Sequence, residues 1–518
     1  MVRKISKFLA NNILTILLGC LLGIPVLVLL FNWISDIGTS AVSVLFKNDN
    51  IILIGKSLLL SGTASLFATS LGSVCGFILN KYNFAYKGFY KLALLIPLLI
   101  PDYVFAVAWK DAWQLFFGAG TYINSHITVI FVHVLVFFPI AMLITGSAIS
   151  QVNKGIEEAG LLMISFRKML LKILIPIIRP SFTISFLLIL IFSLSDFSVP
   201  ALFGVRTFTT EIFTQFSAFY NYQAAMGQSV FLLVICMVLM FSESRYLSDA
   251  PFFTIDTKGS NSRLYNCDNL KLMVHSFFIL LLLVAVIFPV FILLLQSFSG
   301  SELLLGKAWR LVSPTFLQSS VLAFSGAFII SVLGLWTSWL KEREKNKLPN
   351  TLLMILFIIP STVLGIAIIG FFNKPVLNFI YASSIMIILG YIGRFAFIAA
   401  RITGNGIRQI PHSLEESATV AGIGSFRKYL KITLPLLIPS LFASFVLVFI
   451  LCFGELGTTI MVYPPGTELM PIKFFTISAN APQALTSSMS LINFGIIISF
   501  IGAFYIIGRK VFKRFSYE

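Results

Sequence analysis

Twelve runs of about 20 apolar residues follow one another along this chain, each long enough to cross the hydrocarbon core of a bilayer as a helix. They lie near 13–34, 56–80, 90–109, 127–149, 181–203 and 228–243, then near 273–296, 318–340, 351–373, 381–400, 437–456 and 488–508. Inside lipid every backbone polar group must find its partner within the protein, which here leaves helices as the spanning element. The sequence therefore predicts an all-α, polytopic membrane protein. Composition agrees: 11% of the 518 residues are charged and 58% are hydrophobic, where soluble domains average about a quarter charged. The basic start from Met1 to Lys7 has the look of a signal peptide. The apolar run behind it continues to Trp33 without a polar break, which predicts a retained spanning helix.

Lys and Arg set the orientation, since they gather on the cytoplasmic side of membrane proteins. With the N-terminus placed inside, 28 of the 37 basic residues fall in cytoplasmic segments. Eight fall outside (Lys47, Lys56, Lys110, Arg206, Lys307, Arg310, Lys374 and Lys473), and Arg394 alone lies within a span. An odd number of spans per half would scramble that bias. The reading is two parallel halves of six spans, 1–243 and 273–518, with both termini cytoplasmic. A polar segment over 244–272, holding Pro, Gly, Ser and Asn, joins them as a linker. The net charge of +17 then reports membrane orientation. No soluble domain with a basic face exists to bind nucleic acid.

Two cytoplasmic segments, 155–180 and 413–439, read as copies of each other. Landmarks around them recur at a spacing of 259 residues: Pro101 and Pro360, Glu157 and Glu416, Lys172 and Lys431, Pro176 and Pro435. Such spacing indicates internal duplication. In the second copy a helix can begin after Pro411, with Ser413 as N-cap and Glu415 and Glu416 in the first turn, where the helix dipole favours them. Ser417, Ala418 and Ala421 are small enough to let a partner approach. Gly422 and Gly424 supply a bend, Arg427, Lys428 and Lys431 face the inner leaflet, and Pro435 is expected to stop the chain before the next span.

Glu416-Ser417-Ala418, then Gly422, then Ile432-Thr433-Leu434-Pro435 resembles the EAA loop of ABC-transporter permeases of the importer class. The first copy is similar through Glu157-Glu158-Ala159 and Ile173-Leu174-Ile175-Pro176, but Met163 or Ile164 stands where the glycine belongs. Further stretches, Ile100-Pro101-Asp102-Tyr103-Val104, Ser195-Asp196-Phe197 and Gly454-Glu455-Leu456-Gly457-Thr458-Thr459, are similar to fused permeases of the ferric-iron importer group. The resemblance implies a bacterial inner-membrane permease whose two loops dock on two copies of an ATP-binding subunit. Glu157, Glu158, Ala159, Glu415, Glu416, Ser417, Ala418 and Gly422 would make the contact. It also implies an extracytoplasmic solute-binding protein as partner and ferric iron as cargo; related permeases move thiamine, polyamines, phosphonates or oxyanions. The chain itself would bind no cofactor and catalyse nothing. It holds no phosphate-binding GxxxxGK[ST] loop, so ATP would act through the partner subunit.

Asp102, Asp196, Arg394 and Glu455 are the ionisable residues at or near spans, and charge inside a membrane usually faces protein or a wet cavity. Asp196 and Glu455 occupy equivalent places near the outer ends of spans 5 and 11. Either they flank a path for a cationic substrate, with Asp102 beside them, or each caps a helix or pairs with a loop base such as Arg206. Arg394 suits a structural or gating role. His126, His133, His275 and His412 share no metal-ligand spacing, and the five cysteines are scattered. An ion-coupled secondary transporter would also explain twelve spans and repeats. It predicts broken helices and buried carboxylates at mid-membrane, whereas these ionisable groups fall toward span ends. A membrane-embedded enzyme would need a converging catalytic cluster, and the sequence offers none.

Overall fold

A computed structural model describes residues 15–35, 48–118, 125–241, 264–266, 270–299 and 304–515. Its principal helices form two series of ten in matching order. The first comprises α1 (Thr15–Ser35), α2 (Asn48–Lys81), α3 (Lys87–Leu99), α4 (Asp102–Phe117), α5 (Ser125–Ser150), α6 (Lys154–Met163), α7 (Phe166–Ser195), α8 (Ser198–Leu202), α9 (Phe208–Ser217) and α10 (Tyr222–Phe241). The second comprises α11 (Lys271–Ser297), α12 (Leu305–Arg343), α13 (Leu348–Ile358), α14 (Ser361–Phe372), α15 (Ile385–Gln409), α16 (His412–Val420), α17 (Tyr429–Gly454), α18 (Thr459–Val462), α19 (Met470–Ser478) and α20 (Gln483–Phe515). Among the described residues ten helices are long and apolar enough to cross a membrane, and two bent pairs bring the number to twelve.

Those two pairs are the third and ninth runs of the sequence, and they are not straight. Helices α3 and α4 meet at 92°, and α13 and α14 at 108°. Each break falls on an Ile-Pro step. A proline pushes the residue before it out of the helical region, and Ile100 (ψ 138°) and Ile359 (ψ 123°) are extended accordingly.

Other prolines leave their helices unbroken, and four of them share one device. Pro25, Pro176, Pro289 and Pro435 each follow a five-residue π-helical turn, at Gly19–Gly23, Leu170–Leu174, Leu283–Ile287 and Tyr429–Thr433. The wider turn takes up the clash and the missing N–H of the ring. Pro435 therefore does not stop the chain. The basic stretches expected in loops, Arg167 to Arg179 and Lys431, are the first turns of α7 and α17.

Each series packs α2, α5 and α7, or α12, α15 and α17, into a three-helix core. Small residues let these helices close on one another. A Cβ on Gly72 would sit 2.2 Å from the Phe138 carbonyl oxygen, and one on Gly334 would sit 2.7 Å from Ala399. The flanking helices cross over between series: α1 and α10 pack on α14, while α11 and α20 pack on α4. Asp111 of α4 accepts hydrogen bonds from Gln483 and Ser487 of α20, and Asn493 donates to the Tyr103 hydroxyl at 2.7 Å. The sole departure from an all-α chain among the described residues is a parallel pairing of Tyr82–Asn83 with Tyr265–Asn266.

Candidate functional site

The two breaks bring the starts of α4 and α14 to the ends of α7 and α17. Between them lies a cavity of about 150 Å³ lined by Pro101, Asp102, Asp196, Ser361, Arg394 and Glu455, with Ser195, Ser198 and otherwise apolar residues or glycine. The four ionisable residues singled out at the spans, distant in sequence, thus share one cavity. Close backbone approach shapes its wall: a Cβ on Gly454 would meet Pro101 at 2.7 Å, and one on Gly457 would meet the Ser361 hydroxyl at 2.4 Å. Ser361 donates to the carbonyl of Ser195 at 3.0 Å, which stitches the second series to the end of α7.

Each acid also caps a short helix. Asp196 accepts the N–H groups of Ser198 and Val199 at 2.9 and 3.1 Å, closing the start of α8. Glu455 accepts those of Thr458 and Thr459 at 2.7 and 2.9 Å, closing the start of α18. The two sequence readings of these residues are therefore compatible, because the same carboxylate can cap a helix and line a cavity. Arg206 does not pair with Asp196; its Nε donates to Glu211 Oε2 at 2.8 Å. Nor are the acids confined to the edge of the fold, since they gather at the junction of the two series.

Asp196 has further partners. The Ser198 hydroxyl lies 2.8 Å from both Asp196 Oδ1 and Asp102 Oδ1. His133 of α5 sets Nε2 2.9 Å from Asp196 Oδ2, and its Nδ1 lies 2.8 Å from the Ser193 hydroxyl. His133 is fully buried. Metal-ligand spacing gave no reason to single it out, and its position within an otherwise apolar span was the available signal. Arg394 reaches the cavity from α15, with no hydrogen-bond partner for its Nε among the described residues.

The repeated segments each hold a short helix. Asn153 caps α6 by accepting the Gly155 N–H at 2.8 Å. Pro411 precedes α16, so Ser413 sits inside that helix and is not its cap. Gly422 turns the chain with φ +78°, as a bend requires. At the corresponding exit from α6, Ile164 is extended (φ −140°, ψ 157°). Counted from the helix starts, Glu157 matches Glu415 and Glu158 matches Glu416.

The first glutamate of each pair turns inward. Glu157 and Lys81, the last residue of α2, form a wholly buried ion pair. Glu415 pairs with Arg343, the last residue of α12, at 3.0 Å. Glu157 is therefore not at the surface as a docking contact would require. Glu158, Ala159, Glu416 and Ser417 are at least partly open, whereas Ala418 is buried. Leu162, Met163 and Val420 are 85–90% exposed, leaving an apolar end on both helices.

Residues 330–514 match the model of a family described as binding-protein-dependent transport system inner membrane component. The chain is 24% identical over 492 residues to an Fe(3+)-transport system permease protein of Haemophilus influenzae, spanning 93% of this chain and 94% of that one. A second protein of that organism, a putative ferric transport system permease, is 23% identical over 90% of this chain and 80% of its own. A putative 2-aminoethylphosphonate transport system permease protein of Salmonella paratyphi A is 25% identical over 36% of this chain and 70% of its own. Broken helices and buried carboxylates, the marks expected of an ion-coupled transporter, are thus both found in a chain that matches this family.

Proposed function

We propose, from the premise that this chain belongs to the family of binding-protein-dependent transport system inner-membrane components, that it is the permease of an ATP-driven importer of ferric iron. The observation that carries the cargo is the charge of the cavity, where Asp196 and Glu455 outnumber its one arginine, Arg394. In a low-dielectric interior an excess of carboxylates favours a cation and disfavours an anion such as a phosphonate. The names of the relatives that align along most of the chain support iron as that cation.

ATP is hydrolysed on two copies of a separate subunit, and a binding protein delivers the substrate from outside. The loop helices α6 and α16 face the cytoplasm and receive the motion of the ATP-binding subunits through Glu158, Ala159, Glu416, Ser417 and the apolar residues beside them. Each loop helix leads into a long rod. Helix α7 runs 30 residues and α17 runs 26, roughly 40 Å at about 1.5 Å per residue. Asp196 and Glu455 follow directly on the far ends of these rods. Displacement of a loop helix is thereby delivered to the acids of the cavity, and rocking of the two series alternates its access.

The test is uptake of ferric iron by proteoliposomes holding the permease with its ATP-binding subunit. Asp196→Asn combined with Glu455→Gln should lower uptake at least about tenfold while the ATP-binding subunit still copurifies. Unchanged uptake sinks the path assignment. A fully active chain that purifies without an ATPase sinks the importer itself.

A further inference from the structure

The segment joining the two series returns to the first loop helix. Tyr265 and Asn266 pair in parallel with Tyr82 and Asn83, the two residues that follow Lys81 at the end of α2. This register sets the Tyr265 ring 5.1 Å from that of Phe166 and 6.1 Å from that of Tyr82. Its hydroxyl donates to Glu157 Oε2 at 3.0 Å, while Lys81 holds Oε1. Both members of the Lys81–Glu157 pair are wholly buried. Neither can exchange a lost partner for water, so every donor to that carboxylate matters.

Just beyond this pairing the chain enters α11, the first helix of the second series. There His275 and Phe278 pack on Phe84 and Tyr90, whose ring centroids lie 5.2–5.9 Å away. The joining segment is thus moored on both sides of a short stretch: upstream to Glu157 through Tyr265, downstream to residues 84–90 through α11. The second loop is held otherwise. The partner of Glu415 is Arg343, from the same series, and both side chains retain some exposure.

We infer that Tyr265 is a positioning residue for α6, through which the joining segment, continuous with α11, holds the first loop helix in place by completing the Lys81–Glu157 pair. The joint is then a working part of the first loop and more than a tether. Motion of α11 then reaches α6 through Tyr265, as well as through the partner subunits. The consequence for coupling rests on the proposed role of α6, whereas the positioning itself does not.

Tyr265→Phe in the full chain, held in lipid nanodiscs, removes the hydroxyl and keeps the ring. Hydrogen exchange of the 154–163 amides should accelerate about tenfold, with 412–420 unchanged, because the lost donor weakens one local structure only. Unchanged exchange over 154–163, or equal acceleration in both helices, overturns the inference. A second background keeps the test sharp. With Lys81→Met and Glu157→Leu together, the carboxylate is gone and Tyr265→Phe should add nothing; an undiminished effect there also overturns it. If exchange responds as expected but uptake does not change, Tyr265 positions α6 and the coupling role proposed for α6 is what fails.

Discussion

His133 Nε2 lies 2.9 Å from Asp196 Oδ2, so a buried histidine of α5 fixes the acid that both ends α7 and starts α8. The far side of the ring meets the Ser193 hydroxyl at 2.8 Å, which orients the imidazole by both nitrogens. Three elements are joined at one carboxylate, and the cavity wall is made where they meet.

Replacing this ring should therefore disturb the cavity and the packing together. His133→Ala leaves an acceptor oxygen and a serine hydroxyl short of partners in a buried place, at a cost of about 1–3 kcal/mol. We expect a lower unfolding temperature in detergent and reduced uptake. His133→Asn should recover part of the stability. An unfolding temperature equal to the parent in the alanine variant would contradict the arrangement.

The two inward ion pairs differ in depth, and their loss should differ too. Lys81→Met strands Glu157 with no exposure at all, and breaking one side of a buried pair costs about 3–5 kcal/mol. Arg343→Met strands Glu415, whose side chain is 13% exposed and can gain water, so the cost should be smaller. That variant also loses the donations from Arg343 to the Ile407 and Ile410 carbonyls. Denaturant unfolding of both variants in nanodiscs makes the comparison, and a larger loss for Arg343→Met would refute the ranking.

Gly422 and Gly424 look alike in sequence and do different things. Gly422 has φ +78° with open space around it, so alanine there is strained by backbone conformation alone, about 1–2 kcal/mol. Gly424 has neither a positive φ nor a neighbour within 4 Å. Gly422→Ala should weaken retention of the ATP-binding subunit in pull-down, and Gly424→Ala should leave it intact. Equal behaviour of the two variants would count against a specific turn at Gly422.

Acid should act on the Arg206–Glu211 pair. Burial alone would raise the Glu211 carboxyl. The Arg206 hydrogen bond, the Gln215 amide and the charge of Arg206 outweigh it and hold the group below its usual value. A lowered folded value means that the stabilisation is present above the unfolded value, about pH 4.3, and is lost as pH falls through the folded one. Unfolding temperature followed from pH 6 downward should drop less steeply in Glu211→Gln than in the parent. Identical profiles would show that the pair carries no such dependence.

Parts of the site were legible in the chain because they are local. The Glu415 segment announces a short helix through its first-turn acids, though not its cap, and Gly422 announces a bend, since a first turn and a bend depend on a few consecutive residues. The pairing of Asp196 with Glu455 was visible from the common spacing. Their partners were not. Lys81 lies 76 residues from Glu157 and His133 lies 63 from Asp196. Nothing in either segment marks which distant helix end will arrive beside it. The Ile-Pro steps were visible too, yet Pro101 and Pro435 are both prolines near spans, and one breaks its helix while the other follows a π turn.

Sequence alone thus determined that this chain lives in a bilayer, that its apolar runs number twelve, and that its polar loops come in two copies. Those properties depend on counts, runs and spacings, and the bilayer reads hydrophobic length without regard to neighbours. Tertiary structure decided which acids share a cavity, which glutamate of each loop faces inward, and that the joining segment reaches back to Glu157. These depend on where helices cross, and each crossing is set by close approaches such as Gly72 on Phe138, made between residues far apart in the chain.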